Sequence, residues 1–428
     1  MNTIGIDLGT TSICGIIADA DTGKIKKVEN RPNKSFIKTD NPWEKIQDAG
    51  KITETVFEVL DSLFGFESDI VSIGISNQMH GIIYLDKKAE PVSPLYIWQD
   101  ERGNLPYKDG KTYAEYAGSF AGYGLVTDLY NRENGLVPEN AEMCCTIGDY
   151  IAMKLCGTNR AVMHITNAAS FGCFDILNNK FTVDNGMLPE VTDKFTVLGE
   201  YKGAKVCVAI GDNQASFMGA VNGDFPLVNV GTGSQISYLN DKPVKAENVE
   251  TRPYDGEKYL IVGASLCGGR AFAMLERFFA SVVEMATGSK PDSVYSEIDK
   301  MLEAGLETDM QADSRFCGTR ANPDLRGSFY GISQENFTPK DMTVAILYAV
   351  AGELKGMYSG NTAKNIVCSG NGIRKNPALQ KIVSKLFNAE ILIPEFTEEA
   401  SYGVALASLT AVGKYKTLSE AQKMIGYR

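Results

Sequence analysis

The chain reads as an α/β protein of two lobes flanking a central cleft, and three observations predict it. A glycine-centred strand pair stands near the start of each half: TIGIDLGTTSICGIIAD at 3–19 and PLVNVGTGSQISYLND at 226–241. Each is an apolar run, a tight turn and a second apolar run. Each half later shows a buried strand entering a glycine turn, VSIGISNQMHG at 71–81 and NIVCSGNG at 365–372. Finally, 428 residues exceed what one ordinary core holds, which favours two or three domains. Strands alternating with helices in both halves put helices on the sheet faces.

The elements follow in order. Residues 71–86 join two apolar runs through a polar kink, Ser76-Asn77-Gln78-Met79-His80-Gly81, expected as a hairpin with His80 at its tip. VCVAI at 206–210 is a buried strand, and Gly211-Asp212-Asn213 follows it directly. Small and turn-forming residues in GAVNGDFP place the domain boundary near Asn222-Gly223, dividing 1–222 from 223–428. After 365–372, Asn376-Pro377 is a helix N-cap with proline in the first turn, and Leu379, Ile382, Val383, Leu386 and Phe387 recur at helical spacing. Thr397-Glu398-Glu399 opens a last helix, whose Ala400, Gly403, Ala405 and Ala407 permit close packing.

Composition removes several classes of function. A net charge of −11 without a basic cluster opposes nucleic acid and anionic membrane surfaces. No apolar stretch approaches the ~20 residues that span a bilayer, and MNTIGIDLGTTS has no leader pattern, so a cytoplasmic protein is expected. The nine cysteines include no C-x-x-C pair and read as reduced, mostly buried thiols. With only two histidines, any metal should be a hard cation held by oxygen.

Four constellations are able to carry chemistry. Gly9, Thr10 and Thr11, with Gly231, Thr232 and Gly233, are either plain tight turns or a phosphate clamp of backbone N–H groups and hydroxyls. In the second reading Asp7 holds hydrated Mg²⁺ beside the phosphates. Asp212 is a helix N-cap, a catalytic base, or both. Trp98, Asp100 and Arg102 form either a surface ion pair beside a core tryptophan or the wall of a sugar site, to which Gln78 and His80 add hydrogen-bonding groups. His164, in MHITNAASFGCFDI, carries no assigned chemistry and suits a structural loop facing the cleft.

Asp7-Leu8-Gly9-Thr10-Thr11, Gln78-Met79-His80-Gly81, Trp98-x-Asp100-x-Arg102, Gly211-Asp212-Asn213, Asn229-Val230-Gly231-Thr232-Gly233 and Ser369-Gly370-Asn371-Gly372 occur in the order found in FGGY carbohydrate kinases. From residue 4 to about 410 the chain resembles that family. Gln-Met-His-Gly is similar to xylulokinases and sedoheptulokinases; Leu266-Cys267-Gly268-Gly269-Arg270-Ala271 and His164-Ile-Thr-Asn-Ala-Ala-Ser170 look more like sedoheptulokinases. The resemblance implies ribonuclease-H-like lobes of the actin and hexokinase type, ATP and Mg²⁺ in the cleft, and phosphorylation of a terminal hydroxyl of a small-molecule sugar. It makes 1–222 the sugar-binding and catalytic lobe and 223–428 the nucleotide lobe. Asp212 becomes the base, and Asp7, with Asp212 beside it, faces the metal. Gln78, Met79, His80, Trp98, Asp100, Arg102 and Asn213 line the sugar pocket. Thr10, Thr11, Gly231 and Thr232 contact phosphates, while Gly370 and Asn371 lie along the adenosine. A homodimer is compatible with the family. Sedoheptulose is the first choice of substrate and D-xylulose the second; an actin-like ATPase and a catalytically silent sugar sensor are the readings from other classes.

Overall fold

The computed structural model describes residues 1–246, 248–319 and 322–428. The chain packs into two compact units: Met1–Asn222 with Arg252–Lys258 and Glu398–Ile425, and Gly223–Thr251 with Tyr259–Thr397 and Gly426–Arg428.

The first unit is built on a seven-stranded sheet. Its strands are β1 (Asn2–Leu8), β2 (Ser12–Asp19), β3 (Ile25–Pro32), β4 (Ile70–Asn77), β5 (Val197–Tyr201), β6 (Ala204–Cys207) and β7 (Ile210–Gly211). The order is β5-β6-β4-β1-β2-β3, with β7 pairing to β4. β1 and β2 are the expected antiparallel pair, and β1 lies parallel to β4 with Asp7 opposite Ser76. Asn2–Ile6 and Ser72–Asn77 are buried at every successive position, the pattern of central strands covered on both faces. Helix α1 (Ala49–Phe66) covers one face with Ile52, Val56, Val59, Leu60 and Leu63, its N-terminus capped by the Asp48 carboxylate.

The kink at 76–81 is not a hairpin tip. β4 spends its hydrogen bonds on β1, β6 and β7, while the apolar run after the kink, Ile83–Leu85, pairs with Met143–Cys145 in a separate small sheet. The kink is therefore an exit from the main sheet, taken with His80 at φ 77°, a left-handed conformation that histidine tolerates better than most side chains. Two helices complete the site region of this unit: α2 (Ile165–Phe171) and α3 (Asp212–Ala220).

The second unit repeats the scheme. Its six-stranded sheet contains β8 (Leu227–Val230), β9 (Ser234–Asn240), β10 (Val249–Pro253), β11 (Tyr259–Ser265), β12 (Asn365–Ser369) and β13 (Glu390–Leu392). The order is β10-β11-β9-β8-β12-β13. β8 and β9 form the second glycine hairpin, and β8 runs parallel to β12. Helices α5 (Pro339–Gly356) and α6 (Pro377–Phe387) pack on this sheet, and α4 (Gly269–Thr287) packs against α5; Asn376 caps α6 through its side-chain oxygen, with Pro377 in the first turn.

The units are not the contiguous halves 1–222 and 223–428. Helix α7 (Glu399–Ala411) packs in the first unit at backbone contact. A Cβ added to Gly5 would stand 1.8 Å from the Ser401 carbonyl oxygen, and one on Gly74 1.9 Å from that of Val404. On the α3 side, Gly403 is equally tight against the Ala215 carbonyl at 1.9 Å. Ser408 completes the joint by hydrogen bonds to Thr3 and Ser72 at 3.0 and 2.9 Å. The segment Arg252–Lys258 belongs here as well, since Gln214 donates to the Pro253 carbonyl at 3.0 Å and Tyr254 meets Phe217 edge-on at 5.7 Å. Nor is α7 the last helix, because Leu418–Gln422 follows it.

Candidate active site

Two carboxylates lie at the carboxyl ends of the central strands. Asp7 is the penultimate residue of β1 and accepts the Ser76 hydroxyl at 2.7 Å; burial raises its pKa and that hydrogen bond opposes the rise. Asp212 is the first residue of α3, with Gly211 as N-cap, so the cap reading of Asp212 is displaced by one residue. Burial pushes the Asp212 carboxyl up to about 7, the neighbouring negative charge of Asp7 adds to the rise, and the Arg252 charge and the Asn213 backbone N–H restrain it. Both side chains are only half-buried, so a ligand reaches them. A carboxylate with a raised proton affinity, held at a helix start, is suited to accept a proton near neutral pH.

Helix α2 positions this pair and the kink through successive residues. Thr166 Oγ1 accepts the Gly211 backbone N–H at 3.1 Å and lies 3.0 Å from His164 Nδ1. That nitrogen also accepts the Thr166 N–H, so the Thr166 hydroxyl donates to it. Asn167 Nδ2 donates to Asn77 Oδ1 at 2.9 Å and to the Ala209 carbonyl at 3.1 Å. The Ser170 carbonyl is 2.9 Å from His80 Nδ1. His164 does not face an open cleft: it is fully buried as the N-cap of α2, and burial drives its pKa down to about 3, which keeps it neutral.

Because the Ser170 carbonyl only accepts, His80 Nδ1 carries the proton, and a neutral ring then presents an acceptor at Nε2. The ring stacks on Tyr123 at 4.3 Å.

Gln78 is turned elsewhere. It is buried, accepts the Thr10 hydroxyl at 3.1 Å and donates to Gln47 Oε1 at 2.8 Å, while Gln47 Nε2 donates to the Thr10 carbonyl at 2.9 Å. Trp98 Nε1 donates to the same Thr10 hydroxyl at 2.9 Å, and Asn33 holds the Gly9 carbonyl at 3.0 Å. These bonds order the β1–β2 turn and leave Thr11 exposed at its tip. Trp98, 46% exposed, presents its ring to solvent.

Asp100 and Arg102 are also withdrawn from the pocket they were expected to line. Asp100 Oδ1 accepts from Arg102 N and Nε at 3.1 and 2.6 Å, and Oδ2 from Lys45 N and Arg102 Nη2 at 2.9 and 3.1 Å. Four bonds fill the acceptor sites of a carboxylate. The Arg102 guanidinium also bonds Asn131 and Glu44 and lies 4.2 Å from the Tyr96 ring centre. Both residues are 1% exposed or less, so the ion pair forms, but buried rather than on the surface, and the tryptophan beside it is exposed rather than core. Met79 is buried against Gly211, with its sulfur 3.8 Å from Arg252 Nη1. Asn213 follows Asp212 on α3, half-buried.

Arg252 and Gln47 escaped the sequence reading, and Thr166 entered it only within the His164–Ser170 motif, as a turn or cap former. Arg252 stands alone between hairpins, and only its place against Asp212 reveals it.

The second unit holds a cavity of about 440 Å³. Ile346, Leu347 and Val350 of α5 form its floor, Phe272 and Tyr295 stack at 5.6 Å on one side, and Asn371, Lys375 and Asn376 bring polar groups to it. An apolar slot with a few polar groups is the form of a small-molecule site. Asn371 lines it; Gly370, at φ 83°, caps the short helix Asn371–Arg374 beside it. Gly231 and the exposed Thr232 form the adjoining turn, held by Gly268 N–H and Arg270 N–H to the Thr232 carbonyl at 3.2 and 3.0 Å and by Gly269 N–H to the Gly231 carbonyl at 2.9 Å.

Among the described residues no three His, Cys, Asp or Glu side chains gather as a metal cage. Asp7 and Asp212, whose charges oppose one another, are the two carboxylates that could serve an ion that keeps its waters, as Mg²⁺ does. No helix of the described residues is long and apolar enough to cross a membrane.

Residues 2–108 match the N-terminal domain of the FGGY family of carbohydrate kinases, and residues 227–412 match its C-terminal domain. The chain belongs to the FGGY family of carbohydrate kinases. This FGGY kinase is thus a phosphotransferase acting on a sugar hydroxyl. It is 25% identical to the sedoheptulokinase of Mus musculus, over 95% of this chain and 97% of that one. Its architecture, of the actin and hexokinase type, is shared with the gluconate kinase from Lactobacillus acidophilus (TM-score 0.85, 19% identity, 100% of this chain and 92% of that one). The ligand-bound xylulose kinase from the same organism superposes similarly, with TM-score 0.83, 20% identity and the same coverage of both chains.

Proposed function

We propose that this FGGY kinase transfers the γ-phosphate of ATP to the terminal hydroxyl of a ketose, with sedoheptulose, phosphorylated at C7, as the substrate of first choice. The observation that carries the proposal is Asp212: a half-buried carboxylate at a helix start, with its pKa raised to about 7, seated by Thr166 through the preceding N–H. It accepts the proton of the attacking hydroxyl. His80 accepts a hydrogen bond from a second sugar hydroxyl, the Trp98 ring supplies an apolar wall, and Asn213 supplies a polar group next to the base. Asp100, Arg102, Gln78 and Met79 act from beneath, by holding these groups. Thr10 and Thr11 meet phosphate in the first unit, Gly231 and Thr232 in the second, and the 440 Å³ cavity with Gly370 and Asn371 takes the adenosine.

Asp7 and Asp212 are the residues that would hold Mg²⁺. When bound, the ion neutralises charge on the phosphate oxygens. The proton step remains with Asp212, whose burial, aided by the charge of Asp7, keeps its proton affinity high in the free enzyme. The ketose reading is supported by Gln78-Met79-His80-Gly81 and by similarity to the mouse sedoheptulokinase along nearly the whole chain.

Coupled ADP release over a panel of C5 to C7 ketoses and polyols tests the substrate. The highest kcat/KM is expected with sedoheptulose; D-xylulose at the top would move the assignment to a pentulose. ADP release that ignores every sugar would instead favour an actin-like ATPase, and sugar binding without product a silent sensor.

A further inference from the structure

Two cysteines meet beside the cavity of the second unit. Cys267 Sγ and Cys317 Sγ are 3.8 Å apart, although fifty residues separate them in the chain. They differ in a way that suits stepwise chemistry. Cys267 is 1% exposed, and burial pushes its thiol up to about 11. Cys317 is half-buried, and Arg270 Nη1, 3.4 Å from its sulfur, holds its thiol below the ordinary value, assisted by the charge of Arg326. A partly exposed thiolate beside a guanidinium is the reactive form of cysteine, and a second thiol within reach resolves its oxidation.

Cys267 is also mechanically connected. It directly precedes Gly268, Gly269 and Arg270, whose N–H groups hold the Gly231–Thr232 turn, and the first two line the cavity. A disulfide requires the sulfurs to close to about 2.05 Å, which draws on this segment and removes the thiolate partner of Arg270.

We propose that Cys317 and Cys267 are a reversible oxidation site that reads hydroperoxides and tunes nucleotide binding. In the first step the Cys317 thiolate attacks a peroxide oxygen, the O–O bond breaks, and sulfenic acid and hydroxide form. In the second the Cys267 sulfur attacks the Cys317 sulfur, the S–O bond breaks, and water leaves with the proton of the Cys267 thiol. Peroxide is reduced and two thiols become one disulfide. The chemistry stands on the two sulfurs and Arg270; its effect on ATP rests on the reading of the cavity as the nucleotide site.

The full chain is treated with hydrogen peroxide, and its peptides are mapped without reduction. A peptide linking Cys267 to Cys317, lost on adding dithiothreitol, is expected, together with a rise in the KM for ATP of roughly fivefold or more that dithiothreitol reverses. Cys317→Ser should keep the activity of the reduced enzyme and lose the response. Cys267→Ser, if folded, should stop at the sulfenic acid, trapped by dimedone. Absence of the linked peptide, or an unchanged response in Cys317→Ser, overturns the proposal. Phe272→Ala separates the two claims. If it weakens ATP binding while the linked enzyme keeps its KM, the regulatory half is overturned. If it leaves ATP binding untouched while the link forms, the disulfide is supported and the cavity reading is what fails.

Discussion

Replacing Asp212 with asparagine should abolish turnover and at the same time make the metal-free protein more stable. Folding holds the Asp212 carboxyl at about 7, against 3.8 for the ordinary side chain. A carboxyl whose folded pKa lies above its unfolded value costs nothing below the unfolded value. The cost grows as pH rises between the two and is complete above the folded one. At about 1.4 kcal/mol for each factor of ten in proton affinity, the full cost is about 4 kcal/mol, and a side chain that solvent still reaches realises about half, near 2 kcal/mol. Asparagine keeps the shape and removes the charge. Without divalent cations, Asp212→Asn should therefore melt about 4–8 °C above the parent at about pH 8, and the gain should vanish near pH 4. Calorimetry across this range reads the difference directly. A variant that is less stable at pH 8, or a gain independent of pH, refutes the claim that this carboxylate is held charged against the preference of its surroundings; sugar-dependent ADP release near the parent rate refutes its role as base.

Three more substitutions separate the parts of the site. Thr166→Val leaves the Gly211 N–H without its acceptor, worth about 1–3 kcal/mol, so kcat should fall roughly ten- to a hundredfold with the sugar KM little changed, and Thr166→Ser should restore it. Arg252→Ala removes a charge that restrains the pKa of Asp212, so the acid limb of the kcat/KM profile should move to higher pH; a limb that stays in place refutes the coupling. Arg102→Ala strands a buried Asp100 and should cost about 3–5 kcal/mol in urea unfolding, whereas Trp98→Ala should cost little stability and raise the sugar KM.

What could be read before folding was whatever is local. The two glycine hairpins, the strand–turn–helix around Ser369-Gly370-Asn371 and the Asn376-Pro377 start of α6 are each decided by neighbours in sequence, and all are present. The place of Asp212 at a helix start was legible, to within one residue, because a carboxylate follows a buried strand without an intervening loop. Misplaced residues owe their position to distant partners. Gln78 looked like a pocket residue until Gln47 and Thr10 claimed both ends of its amide. Asp100 and Arg102 look alike whether exposed or buried; Lys45, Asn131 and Tyr96, which enclose them, come from three other segments. The hairpin at His80 failed because strand pairing is chosen by the whole sheet, and β4 was already taken by β1.

The position of α7 has a consequence for how the protein is made. The sheet that carries Asp7 and the helix that carries Asp212 are both sealed by residues 399–411, which are translated long after either of them. A nascent chain halted at residue 222 has translated every proposed sugar contact, yet Gly5, Gly74 and Gly219 still expose the bare groove that α7 fills. Activity is therefore expected only after residues 223–397 have been translated, and a chain truncated before residue 399 should partition to chaperones rather than act as an unregulated half-enzyme. Isolating the first unit requires grafting α7 back onto it, which makes circular permutation rather than truncation the route.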